Sequence, residues 1–136
     1  MTQPRRAEAH DIPRIVEMGR KFHAAAGLSY EFDPGSAAAF MAGVIEMGTV
    51  FILKDGFIAG VPAPAPSNNS WRVMHEIFWW SPEGGGELLR QALEEEARAT
   101  GCQEIEFSYP EEKRVVGRLL LRKGYAPKTA IVTRRI

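Results

Sequence analysis

The chain has 136 residues, 17 Lys and Arg against 17 Asp and Glu, and 45% apolar side chains. That length suits one domain over residues 1–136 with one core, and the zero balance supplies no global field to attract nucleic acid or an anionic membrane. The longest apolar run, residues 37–45, is too short to cross a bilayer, the first residues lack a secretion signal, and the single Cys102 excludes an intrachain disulfide, so the protein is expected in the cytoplasm with no membrane attachment.

Gln3 to Arg6 reads as a short edge strand. Asp11 stands where a helix N-cap belongs, with Pro13 in the first turn, and Ile12, Ile15, Val16 and Phe22 recur at helical spacing, which predicts an amphipathic helix over Ile12 to Ala25 ended by Gly27. Asp33-Pro34 repeats that start, and the Ala-rich stretch Ser36 to Met47 predicts a second helix up to Gly48. Two β-rich runs, Thr49 to Lys54 and Phe57 to Val61, flank Asp55-Gly56, the signal of a tight hairpin. Pro62 to Ser70 carries three prolines and predicts an exposed loop, since each proline removes a ladder donor.

Trp71 to Trp80 is the most β-prone segment. Strict alternation places Val73, His75, Ile77 and Trp79 on one face and Met74, Glu76, Phe78 and Trp80 on the other. Both faces are mostly apolar, which predicts a central strand in which Glu76 is the outlier. Ser81 to Gly86 predicts a turn, and Leu88, Leu89, Ala92, Leu93 and Ala97 give a helical stripe that Gly101 stops. Gln103 to Tyr109 alternates as a strand. Pro110 opens a further helix with Val115, Val116, Leu119 and Leu120 on its apolar face, Gly124 closes it, and Thr129 to Thr133 predicts a last strand. The order β-α-α-β-β-β-α-β-α-β describes an α+β fold with a mixed sheet.

Charge is uneven along the chain. Glu87 to Glu112 holds eight Glu and two Arg, while Lys113 to Ile136 holds eight Lys or Arg and no acid. A strand running through Gly84, Gly85 and Gly86 into a helix presents free N–H groups at a positive helix end, a ready place for a phosphate, although a flexible turn would use the same glycines. Glu76 in an apolar strand should have its charged form disfavoured, which raises its pKa toward the range of a general base; a Glu paired with an Arg at a sheet edge is the plainer alternative. His10, His23 and His75 are scattered, so no metal site is expected.

The order of elements, with the glycine turn after the fourth strand, resembles the GNAT family of acyl-coenzyme A-dependent N-acetyltransferases. Pro82, Gly84, Gly86, Leu89, Leu93 and Ala97 match the family's strand–loop–helix motif, and Leu120-Leu121-Arg122-Lys123-Gly124-Tyr125 is similar to its last-helix ending. The resemblance implies a mostly antiparallel central sheet with helices on both faces and acetyl transfer from acetyl-coenzyme A to an amine, in a small molecule or peptide, by direct attack. It further implies that the backbone of Phe78 to Trp80 pairs with the pantetheine arm, that Gly84, Gly85, Gly86 and the first residues of the next helix, Glu87 and Leu88, hold the pyrophosphate, and that Lys113, Arg114 or Arg118 meets phosphate charge. Glu76 stands where some members carry a general base. Two departures accompany the match: the loop is shorter and flanked by Glu83 and Glu87, and the position of the family's proton-donating tyrosine is Leu120, leaving Tyr109 and Ser108 beside it as the topologically nearest candidates for the acid. These departures also motivate a second expectation, a GNAT-like binding or regulatory module without catalysis. The acceptor's identity and the oligomeric state, a homodimer included, stay open.

Overall fold

A computed structural model describes residues 2–109 and 113–136. Five strands form one sheet in the order β1-β2-β3-β4-β5: β1 (Arg5–Arg6), β2 (Thr49–Leu53), β3 (Gly56–Ala65), β4 (Asn68–Trp80) and β5 (Glu104–Glu106). The first four run antiparallel to their neighbours, and β5 lies parallel to β4. Among the described residues, four α-helices, α1 (Ile12–Ala26), α2 (Pro34–Met47), α3 (Gly86–Ala99) and α4 (Arg114–Arg122), complete the fold, with a 3-10 turn before α1.

The two sheet faces carry separate cores. On one, Ile15 and Met18 of α1 and Met41 and Val44 of α2 pack on Val50, Ile52, Phe57 and Ala59. On the other, Leu89, Leu93 and Ala97 of α3 pack on Leu53, Ile58 and Met74. Each fully buried Leu or Ile contributes about 1.5–3 kcal/mol relative to exposure.

Several sequence expectations change. Asp33 caps α2 as predicted, accepting from the Gly35 N–H. Asp11 does not cap α1 through its side chain; it takes a bidentate Arg5 guanidinium at 2.9 and 2.7 Å and the Glu8 N–H at 2.8 Å, so it ties β1 to the start of α1 instead. This pairing holds the Asp11 carboxyl far below the usual carboxylate range.

The predicted Pro62–Ser70 loop is mostly strand, because β3 and β4 form a long hairpin in which Pro62 pairs with Met74 and Pro64 with Arg72. A spacing of two puts the missing N–H donors along a single edge of β3, and from Val61 onward one edge has no partner, since β2 ends its ladder at Thr49 opposite Gly60. Prolines are tolerated where the donor would face no neighbour.

The strand predicted to Tyr109 is regular only over Glu104–Glu106, and residues 129–133 form no strand. The opening of the last helix at Pro110-Glu111-Glu112 lies outside the described residues, and α4 is helical from Arg114. No helix among the described residues is long and apolar enough to cross a membrane.

Candidate active site

The site grows from an irregularity in β4. Ala59 pairs with Phe78 but Gly60 pairs with Glu76, so Ile77 is an extra residue with no opposite number. Such a bulge re-aims the side chains around it. Met74 packs against α3, whereas Ile77, Phe78 and Trp80 pack on the α1/α2 core and Trp79 returns to the α3 side. Glu76, opposite Gly60, therefore does not share a face with Phe78 and Trp80 as strict alternation predicted.

The bulge coincides with a fork in the sheet. β4 and β5 pair only through Val73–Glu104, Met74–Ile105 and His75–Glu106. From Glu76 to Trp80 the β5-side edge of β4 has no strand partner among the described residues, and its main-chain groups are available to an extended ligand. Trp79 floors this gap from the α3 side: its ring packs on Phe107 at 5.3 Å and its indole N–H donates to the Gly86 carbonyl at 3.1 Å.

Glu76 sits at the root of the fork, 9% exposed. Its Oε2 accepts the Ser108 N–H across the gap at 3.2 Å, and it has no cationic partner among the described residues, which removes the plainer reading of a Glu–Arg pair. Burial pushes its pKa up to about 7, against a smaller lowering by the Ser108 N–H. A carboxyl with that pKa exchanges protons near neutral pH, as a general base must. On the opposite face, His75 contacts Glu106 at 3.1 Å.

At the far end of β4 the chain turns through Gly84 and Gly85, both with φ near +85°, into α3. Gly85 is required twice over, by its left-handed backbone and because a Cβ there would lie 2.7 Å from Leu53 Cδ2. No side chain caps α3, and its first intrahelical bond runs from the Leu89 N–H to the Gly85 carbonyl. The N–H groups of Gly86, Glu87 and Leu88 thus lack helical partners and sit at the positive helix end.

The acids flanking this turn are handled unequally. Glu83 is exposed. Glu87 is bound by the buried Arg90 at 2.9 and 2.8 Å and approached by Lys123 at 3.4 Å, which together hold its carboxyl down to about 2. Two cations around one carboxylate leave the first turn of α3 compatible with an anion.

Arg90 also holds α4 in place. Its guanidinium donates to Glu94 at 2.5 Å and to the Tyr125 hydroxyl at 3.3 Å, and Tyr125 donates to Glu94 at 2.8 Å. Burial, with Glu94 next, pushes the Tyr125 phenol up to about 12. Tyr125 arrives there because α4 ends with Gly124 at φ 91°, the Gly124 N–H on the Leu121 carbonyl and the Tyr125 N–H on the Leu120 carbonyl. This paired closure satisfies two terminal carbonyls and explains physically why a Gly-aromatic pair ends the helix. Neither Arg90 nor Lys123 was singled out from sequence, although Arg90 stands between Glu87 at i−3 and Glu94 at i+4 on one helix face.

The remaining predicted residues fall at varied distances from the fork. Tyr109 is about half exposed and its ring lies against Gly117 of α4, so closely that a Cβ at Gly117 would overlap its hydroxyl. Gly117→Ala is expected to displace the Tyr109 ring while leaving the Glu76 environment intact, readable as a selective change in Tyr109 ring resonances. Lys113 is exposed at the start of α4 and makes no ion pair among the described residues, so Lys123 is the cation the structure brings to the α3 terminus. Leu120 is buried. No cluster of metal-ligating side chains occurs among the described residues.

No family model and no curated protein matches the chain. Solved structures do. A protein from Arthrobacter sp. FB24 described as an acetyltransferase superposes with a TM-score of 0.79 at 16% identity, covering 100% of this chain and 96% of that one. A protein from Clostridium acetobutylicum described as an acetyltransferase and solved with acetyl-CoA gives 0.76 at 14%, covering 99% and 96%. The aminoglycoside acetyltransferase AAC(6')-Iy, solved with a bisubstrate analogue of CoA and acetylneamine, gives 0.75 at 13%, covering 98% and 97%. These superpositions over nearly the whole chain, with the mostly antiparallel sheet and its helices on both faces, establish that the chain has the fold of the GNAT acetyltransferases.

Proposed function

We propose that the protein transfers an acetyl group from acetyl-coenzyme A to an amine, with Glu76 as general base. The observation that carries this reading is a buried, unpaired carboxylate at the root of the β4–β5 fork, on the strand that leads into an uncapped helix N-terminus. Amine-modifying chemistry needs a proton acceptor beside an extended thiol-ester arm and an anion site at the arm's far end. The β4 edge, Glu76 and the α3 terminus supply these in sequence along one strand.

The residues fit the coenzyme. The Gly86, Glu87 and Leu88 N–H groups and Lys123 would hold the pyrophosphate, and the open edge of β4 around Phe78 to Trp80 would pair with the pantetheine amides. When bound, the coenzyme supplies a carbonyl activated for attack by its thioester. Glu76 takes the proton from the incoming ammonium as its nitrogen becomes nucleophilic. A β4 N–H donates to the carbonyl oxygen, where negative charge grows as the C–N bond forms. The nitrogen loses its second proton as the C–S bond breaks, and that proton ends on the departing thiolate, passed by the Tyr109 or Ser108 hydroxyl, since Leu120 has none to give. Attack is direct, so Cys102 carries no acyl group.

Amine-dependent release of free coenzyme A thiol across a panel of small amines and N-terminal peptides tests this. Thiol release that requires the amine and yields the N-acetyl product is expected; no product with any amine despite coenzyme binding would contradict it. That negative result would favour the second reading, a coenzyme-binding module without catalysis, to which the Trp79–Phe107 contact across the gap and the loss of a hydroxyl at Leu120 lend support.

A further inference from the structure

We propose that Lys128 is a positioning residue for Glu76: with Tyr125 it closes a clip around the free edge of β5 and so holds Ser108 against the base. The catalytic consequence rests on Glu76 acting as the base; the clip itself does not.

β5 needs such a device. It is three residues long, parallel to β4, and has a ladder partner on one side only. Its start is well fixed, because the Gln103 N–H donates to the Arg72 carbonyl at 3.0 Å and the Trp71 indole donates to Glu104 at 2.9 Å. The register ends at His75–Glu106, and Ser108 lies two residues beyond it. Past that point no strand pairing with β4 holds the chain among the described residues, yet the Ser108 N–H sits 3.2 Å from Glu76 Oε2.

Side chains hold this stretch instead, from both faces. Consecutive strand residues point to opposite sides. Phe107 faces α3, its ring in contact with Trp79 at 5.3 Å and with Tyr125 at 5.4 Å. Glu106 points the other way, with His75 Nδ1 3.1 Å from one oxygen and Lys128 Nζ 2.6 Å from the other, and the same ammonium reaches Glu104 Oε2 at 3.0 Å. Tyr125 is in turn bonded to Glu94 and Arg90 of α3. Tyr125 and Lys128 are three residues apart but grip opposite faces, so Ala126 and Pro127 cross between them at the edge that β4 leaves free. Pro127 has no N–H with which to pair along that edge. Without the ammonium, Glu104 and Glu106 repel each other across one face and the strand end is free to leave β4. The Lys128 side chain is 58% exposed, so replacing it removes the grip without emptying a core.

Amide hydrogen exchange, read by NMR on the protein without coenzyme, tests the clip separately from the reaction. Lys128→Met is expected to speed exchange at Ser108 by about fivefold and Lys128→Glu, which sets a third carboxylate against Glu104 and Glu106, by roughly tenfold or more, while Lys128→Arg stays near wild type. Ile58 and Leu93 amides should keep their wild-type rates in all three. About 1 M salt, which screens an exposed pair, should speed Ser108 exchange in the wild type but not in Lys128→Met. With acetyl-coenzyme A and an accepted amine, Lys128→Met is expected to lower kcat by about tenfold with the coenzyme KM unchanged, and Lys128→Arg to keep wild-type turnover. Wild-type exchange at Ser108 in Lys128→Glu, equal effects of Met and Arg, or faster exchange across the whole chain would overturn the clip. Faster Ser108 exchange with kcat unchanged would overturn its part in catalysis. A wild type that acetylates no amine but shows the expected Ser108 pattern would sink the transfer reaction and leave the clip standing.

Discussion

Glu76→Gln is expected to lower kcat by about 10²–10⁴, the usual contribution of a positioned general base, while leaving the affinity for acetyl-coenzyme A nearly unchanged. Gln keeps an oxygen for the Ser108 N–H, so the loss isolates proton transfer from geometry. In the wild type the rate should climb with pH through about 7, as the carboxyl ionises, and the variant should lose that limb.

The same substitution has a signed effect on stability. Burial raises the folded-state pKa from 4.5 to about 7, so the folded protein holds the proton more tightly than the unfolded chain. The stabilisation by the protonated form is complete below the unfolded value and is lost as pH rises through about 7. A tenfold difference in proton affinity is worth about 1.4 kcal/mol, so ionised Glu76 costs about 3 kcal/mol at alkaline pH. Glu76→Gln should therefore raise Tm at pH near 8, by on the order of 10 °C, and change it little near pH 4. Equal Tm differences at the two pH values would mean that the carboxyl is not held in an apolar site. A loss of activity with a gain in stability is the signature of a strained functional group.

Arg90→Met is expected to cost about 3 kcal/mol, because it removes one partner from a buried ionic network. Its guanidinium joins Glu87, Glu94 and Tyr125, and its loss frees α4 from α3 as well as leaving two acids short of a cation. Coenzyme affinity should also fall, by about fivefold, since a Glu87 left with Lys123 alone beside the α3 N–H groups repels pyrophosphate by about 1 kcal/mol. The double variant Arg90→Met with Glu87→Gln separates the two effects. Affinity should return while stability does not, as measured by calorimetric titration and denaturant unfolding; recovery of neither would show that Glu87 does not face the ligand.

Much of the architecture was legible because local signals agreed with the tertiary outcome. Asp33-Pro34 opened α2, Asp55-Gly56 turned the β2–β3 hairpin, and the Leu89, Leu93 and Ala97 stripe became the buried face of α3. Glu76 was visible as an acid in an apolar strand, and its burial has the cause that position suggested. What escaped depended on neighbours. Whether Pro62 and Pro64 break a strand turns on whether the edge they face is occupied, and β2 stops short of them. The bulge at Ile77 breaks the period of two without any glycine or proline to mark it, so Phe78 and Trp80 changed faces relative to Glu76. Residues 129–133 have strand composition but form no strand, because composition alone does not supply an edge to pair with. A linear reading of the acids that flank the glycine turn counts Glu87 without Lys123, which the closure at Gly124 brings beside it.

In the proposed mechanism one strand links a base at its bulge to an anion site at its end. Amide chemical-shift perturbation during titration with acetyl-coenzyme A tests that link most directly. Saturable shifts are expected at micromolar to sub-millimolar ligand, concentrated on Gly84 to Leu88, on Glu76 to Trp80 and on Ser108, with little change in α1 and β1. Absence of saturable shifts at millimolar ligand, or shifts confined to surfaces away from the β4–β5 fork, would contradict it.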